Sequence, residues 1–294
     1  MDKLNEYILG HDVRTGLIAL FFSLLPLVGV PLNNIAGIIL AFVTLSKGAR
    51  SGAVIMAWVT LPALCLLWIH QTGTYDVLWA RYMAIWLFAV LLAQYASWRL
   101  VLECSVVISI VTILGFYLFV PNAHSFWHQF FAHILASIDV SVLPYSSDQI
   151  LHMVDAFIPY FTGTFVSLQL IPCIVEVLIA RWWQLRKIDA KQCANEFAQV
   201  RLGQALLVFL LCMAIGAYFD ITLTKEILPV CLSVFAVLGL SFMHAWSQAK
   251  HNIFIVLPIY VLMILLFAYV VLLLAIIGIV DTCCNLRQRF CAAA

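Results

Sequence analysis

A succession of long apolar runs sets the limits on what this chain can fold into. The runs fall near residues 15–46, 53–70, 77–97, 99–120, 156–181, 202–219, 227–246 and 253–280. A bilayer core of about 30 Å takes roughly 20 apolar residues when crossed by a helix, and most of these runs are close to that length or longer. Soluble domains are about 45–50% apolar and about 25% charged. Here 65% of the 294 residues are hydrophobic and 10% are charged. Surface-to-volume scaling gives a soluble fold of this length no means of hiding so much apolar surface, so the solvent is lipid. Disorder, a nucleic-acid-binding domain and an ordinary cytosolic enzyme are excluded. The net charge of +1 implies no strongly anionic partner.

In lipid every backbone polar group must be satisfied within the fold, so the runs are helices. An outer-membrane barrel would show short alternating segments instead. The expected fold is all-α: one integral membrane domain over 1–294, a polytopic transmembrane helix bundle of 8–9 spans, several broken or kinked by proline. The count stays open because GLIALFFSLLPLVGVPLNNIAGIILAFVTL is too long for one simple helix and holds Pro26, Pro31, Asn33 and Asn34. It is either a broken span or a pair of short ones. Gly48 and Gly52 beside it, next to Lys47 and Arg50, suit a tight turn as well as they suit helix packing.

Orientation follows the Lys and Arg of short loops. The richest cluster, with Arg181, Arg186, Lys187, Lys191 and Arg201, marks the loop 182–200 as cytoplasmic. Residues 100–180 contain no Lys or Arg, so the segment 121–155 belongs outside. Its stretch PNAHSFWHQFFAHILASIDV mixes aromatic and polar residues as a helix lying in the interface does. Lys47, Arg50 and Lys250 fall inside. Counting spans forward puts Arg287 and Arg289 outside, against the charge bias, so a span is miscounted or 253–280 does not cross cleanly.

Chemistry-bearing motifs are sparse. Cys65, Cys104, Cys173, Cys212 and Cys231 lie within apolar runs, where a thiol packs as a small hydrophobe. No zinc-type CxxC pair, cleavable signal, G-x-S-x-G, H-E-x-x-H or phosphate loop is present. An enzyme is not expected, and neither is a cofactor. His124 and His128 share a helix face, with His133, His152 and Asp155 nearby in sequence. His133 is about 140° further round the helix, so interfacial histidines describe the set better than a metal site. Arg99 and Glu103 read as an i, i+4 surface pair. The ending Cys291-Ala-Ala-Ala has the form of a prenylation box, which a chance match or three appended alanines explains more simply.

At the basic loop the sequence becomes more specific. IARWWQLRK followed by NEFAQVRLG, with Phe161-Thr162-Gly163 before it, LGLSFMHAW after it and the ending IIGIVDTCCNLRQR, resembles the YybS-like family of predicted bacterial membrane proteins. The likeness is best between about 160 and 290; LRKIDAKQC departs from relatives richer in Pro and Gly. Membership would imply a multi-pass protein of the bacterial inner membrane with no assigned activity. The family is distantly similar to substrate-binding subunits of energy-coupling-factor transporters and to the rod-shape protein MreD. The resemblance supplies no site residues.

The leading functional expectation is a substrate-binding or transport subunit for a small molecule. It rests on that likeness and on seven of nine prolines lying within or at the ends of apolar runs; a scaffold similar to MreD is the alternative. Expected partners are the bilayer, other membrane subunits or an ATPase module, and no nucleic acid. Thr162, Gln169 and Glu176 are seven residues apart and drift only about 20° per step, so they share a helix face. Cys173 joins them, and Pro172 disturbs the carbonyl of Leu168. The face should point into the bundle, towards a cavity or a partner such as His244 or Gln204, with Glu176 binding a polar group and Gln169 orienting it. The bland alternative makes Glu176 a solvated end residue. Arg181, Trp182, Trp183, Arg186 and Lys187 form the expected docking surface.

Overall fold

Every regular element of the structure, a computed structural model describing residues 7–28, 30, 32–68, 75–137, 147–186 and 192–290, is a helix. In chain order they are α1 (Asp12–Leu24), α2 (Asn33–Lys47), α3 (Ala49–Trp68), α4 (Tyr75–Tyr95), α5 (Trp98–Phe119), α6 (Ala123–Ser137) and α7 (Ser147–Leu185). There follow α8 (Gln192–Ala198), α9 (Gln204–Tyr218), α10 (Thr222–Ala249), α11 (Leu257–Leu265), α12 (Phe267–Cys284) and α13 (Leu286–Phe290). The all-α bundle read from the sequence is what the chain forms. Among the described residues, Trp98–Phe119, Gln149–Leu185, Thr222–Ala249 and Phe267–Cys284 are long and apolar enough to cross a membrane. Asn33–Lys47, Ala49–Cys65, Ala80–Tyr95 and Gln204–Tyr218 are shorter apolar helices.

Two of the eight runs divide. The run 15–46 becomes α1 and α2, joined through a 3-10 turn at Leu25–Val28 that contains Pro26. The run 253–280 becomes a 3-10 turn at Ile253–Ile255, then α11 and α12, separated at Leu266. α2 and α3 meet at Gly48, whose φ of 94° suits a residue without a Cβ; its N–H closes on the Thr44 carbonyl at 2.9 Å. α7 runs unbroken over 39 residues through Pro159 and Pro172. It takes in the end of the segment expected to be interfacial.

α10 is the centre of the bundle. Its apolar window is 72% buried, against 28% for α12 and 33% for α5. Val234, Phe235, Ala236, Val237 and Leu238, five consecutive residues that point all round the axis, are buried and apolar, as a helix enclosed on all sides requires. α12, α7 and α9 pack against α10, and α5 and α8 also touch it.

The helix ends sort by charge. Asp12 pairs with Lys47. Gln184 Nε2 donates to the Leu45 carbonyl at 2.7 Å. Arg181 holds Glu196 of α8 at 2.9 Å. Arg287 donates to the Ala198 carbonyl, and the Trp246 and Phe290 rings lie 6.3 Å apart. These links bring the start of α1 and the ends of α2, α7, α10 and α12 to one end of the bundle. Lys47, Arg50, Arg181, Arg186, Arg201, Lys250 and Arg289 gather there. The other end carries α6 and the Lys225–Asp220 pair.

α12 runs parallel to α10. Gly278 lies against the Phe235 and Gly239 backbones, Arg287 reaches Ser241 at 3.1 Å, and Phe290 meets Trp246. Residues 250–266 must therefore carry the chain back between the two ends. They pass Tyr260, whose hydroxyl meets His244 Nε2 at 2.8 Å.

Candidate functional site

The inner face of α7 is polar where it is most enclosed. Glu176 is only 2% exposed. Its carboxylate accepts a close hydrogen bond from Arg81 of α4, itself 7% exposed. The same Arg81 nitrogen donates to Asn34 Oδ1 of α2 at 2.6 Å. Three helices thus converge on one ion pair. Gly37 of α2 makes the convergence possible: a Cβ there would fall on Glu176 Oε2 and 2.9 Å from its Cδ. Glu176 stands nine residues before the end of α7, about 13 Å along the axis, so it is set well in from the basic end.

The cluster is incompletely satisfied. Glu176 Oε2, Arg81 Nε and the neighbouring Tyr82 hydroxyl are buried without a hydrogen-bond partner. Charges inside a membrane are expensive and are retained where they act. A buried polar atom left unpaired costs about 1–3 kcal/mol. The arrangement offers one free acceptor, one free guanidinium donor and one free hydroxyl beside a paired charge.

A second carboxylate lies nearer the other end. Glu226 of α10 is 1% exposed and accepts from Tyr117 Oη at 2.9 Å and from the Gly163 N–H at 2.5 Å. Beside it, Thr162 Oγ1 accepts from Trp127 Nε1 of α6 at 3.0 Å. Trp127 is set among Phe116, Phe126, Phe130 and Phe161. This group clips α6 and α5 onto α7 and α10.

The expected stripe is therefore divided. Thr162 and Glu176 both face inward, but they serve different clusters, 14 residues and about 21 Å apart along α7. Gln169 is half-buried, and its carbonyl accepts from Cys173 Sγ at 3.1 Å; Asn34 takes the orienting place expected of it. His244 is engaged by Tyr260, and Gln204 is exposed. Glu176 is not a solvated end residue.

Of the expected docking residues, Arg181 turns inward onto Glu196 and Gln184. Trp183 stacks on Phe42 with ring centroids 4.8 Å apart. Trp182 and Arg186 are exposed, with the guanidinium 5.1 Å from the indole. Lys187 lies outside the described residues. His128 comes within 3.8 Å of Asp155, and among the described residues no group of three His, Cys, Asp or Glu side chains could hold a metal.

Sequence reasoning passed over Arg81, Asn34 and Glu226 as site residues. Arg81 had a usable signal, a lone arginine inside the run 77–97, because an ionisable residue within a span is a functional candidate by default. Asn34 beside Pro31 was visible only as part of a break. Glu226 resembled an ordinary end-of-span charge next to Lys225. In comparisons with protein-family models, curated proteins and solved structures, nothing matches this chain.

Proposed function

We propose that the chain is a multi-pass membrane subunit that binds or transports a small polar molecule at the Arg81–Glu176–Asn34 cluster. The observation that carries this reading is the set of unpartnered atoms on a buried ion pair. A purely structural pair in lipid gains from having every donor and acceptor filled, and this one leaves three neighbouring polar atoms open. The cluster also takes in the first turn of α2, where Asn34 stands. The YybS-like pattern and its distant likeness to transporter binding subunits point the same way, towards a bacterial inner membrane and partner subunits. The test is a ligand search on protein purified from native membranes, repeated with Arg81→Gln. A small molecule that co-purifies with the parent and is lost from a folded variant supports the reading. Identical, empty spectra from both count against it.

The proposed topology has ten passes: α1 to α5, α7, α9, α10, the return segment 253–266, and α12. Both ends of the described chain then lie at the basic, cytoplasmic face. The positive-inside bias supports this, since Arg81 and Lys225 are the described basic residues away from that face. A second reading, a scaffold in a membrane complex, is favoured by the exposed Trp182–Arg186 pair there. Such a pair suits contact with a partner or anionic headgroups, and co-purification lost in Trp182→Ala would support it.

A further inference from the structure

We infer that the Arg81–Glu176 site takes a small monovalent anion together with a proton, the anion on Arg81 and the proton on Glu176. The inference rests on the proposed binding role of this cluster and specifies its ligand class.

Net charge is the governing constraint. The site is closed to solvent, and an uncompensated charge there costs several kcal/mol. In the structure the sum is zero, one guanidinium against one carboxylate. The groups facing Glu176 are few. α4 supplies Arg81 and Tyr82, and α7 itself supplies Cys173. α2 supplies Asn34 and the Gly37 backbone. α10, packed further along α7, sets Glu226 against Gly163 instead, and Glu103 of α5 is bound to Arg99 at 2.7 Å. Among the described residues no second cation faces the site to balance an added anion. An anion bound alone would leave two negative charges against Arg81. Binding stays neutral when Glu176 gains a proton as the anion arrives, and the guanidinium then exchanges one carboxylate partner for another anion.

Geometry divides the two roles. Glu176 Oε2 is unpartnered and pressed onto the Gly37 backbone. That leaves room for a proton and not for an ammonium group or a metal ion. Arg81 Nε is unpartnered, so the guanidinium keeps a free donor for an incoming oxyanion, and the fork matches carboxylate-like geometry. Tyr82 Oη, 1% exposed and without a partner, is a second donor beside it. A zwitterion would also conserve charge, but its cationic end has no space at Oε2.

The test uses the purified full-length protein, with acetate and nitrate as probes. Calorimetric titration in buffers of different ionisation enthalpy reads protons taken up per anion bound. The expected result is close to one proton per anion, as neutrality demands, with tighter binding as pH falls. Glu176→Gln, neutral in both states, should bind the same anions with no proton uptake and no pH dependence. Arg81→Gln should weaken binding by about 10- to 100-fold, the worth of a charge-assisted hydrogen bond. If that variant does not fold, the first two measurements decide alone. Anion binding without proton uptake, or Glu176→Gln keeping the parent's pH dependence, overturns the proposal and leaves a ligand site standing. Binding of glycine zwitterion with acetate and nitrate inert does the same. No binding of either anion to parent or Glu176→Gln also overturns it. If membrane function then survives both substitutions, the site reading falls as well.

Discussion

Replacing Arg287 with Met should loosen the whole basic end of the bundle. Arg287 and Asp281 are each only 6% exposed. The guanidinium donates to Asp281 Oδ2 at 2.8 Å, to Ser241 Oγ at 3.1 Å and to the Ala198 carbonyl. Ser241 in turn donates to the Phe197 carbonyl at 2.5 Å. One side chain therefore fastens α8, α10, α12 and α13 together. Arg287→Met removes three side-chain donors and leaves the buried Asp281 charge without its ion-pair partner, with only the residue-287 backbone N–H at 3.3 Å still on Oδ1, a change that costs about 3–5 kcal/mol. Adding Asp281→Leu removes the stranded charge, so the double variant should lose about 0.5–3 kcal/mol less than the sum of the single changes. Cys231 gives the readout. Its side chain is fully buried in α10, so maleimide labelling, followed at that peptide across a denaturant titration in mild detergent, reports opening of the core. An Arg287→Met shift worth under about 1 kcal/mol, the level of a surface pair, would refute the staple. Strict additivity of the two substitutions would refute the coupling.

Gly278→Ala should cost about 1–3 kcal/mol through overpacking, because a Cβ there meets the Phe235 backbone. Gly115→Ala, facing open space, should be neutral or stabilising by up to about 1 kcal/mol, and equal effects would undo the assigned α10–α12 crossing. Gly37→Ala should displace the Glu176 carboxylate and weaken any acetate binding while the protein still elutes as a folded species. Unchanged acetate affinity would separate Gly37 from the site. In a background without exposed native cysteines, Asn122→Cys should label from outside intact cells and Gln288→Cys only after permeabilisation; the reverse for Gln288→Cys would defeat the ten-pass topology.

Much of the helix layout was legible because hydropathy reads length and apolarity directly. The run 99–120 is α5, and 227–246 is the core of α10. The run 156–181 fell short of α7, because SDQILHMVD is polar enough to end an apolar run but has nothing in it that ends a helix. The inward aim of Glu176 was legible too, since a seven-residue spacing fixes a helix face whatever the bundle around it. Its partner was not. Arg81 lies 95 residues away, and only tertiary packing decides which of several polar residues meets it, so His244 and Gln204 looked equally eligible. Arg181 and Trp183 read as surface because basic and aromatic residues at a span end usually are. Here Glu196 and Phe42 draw them inward.

The charge paradox at the C-terminus has a structural answer that counting could not supply. Hydropathy sees 253–280 as one run, because its break falls at Leu266, an apolar residue with neither Pro nor Gly beside it. The helix ends there because Leu266 leaves helical geometry, with φ −134° and ψ 47°. The Leu266 N–H still closes on the Leu262 carbonyl at 2.7 Å, so the end of α11 does not give up that bond. One undetected break changes the parity of everything after it and moves Arg287 and Arg289 to the end where the other basic residues already stand. Arg287 would have misled a charge count even with the right parity. It is not a solvated loop charge that sets orientation but the hub of a buried network. Arg289, exposed on α13, is the one of the two that a count of solvated loop charges should include.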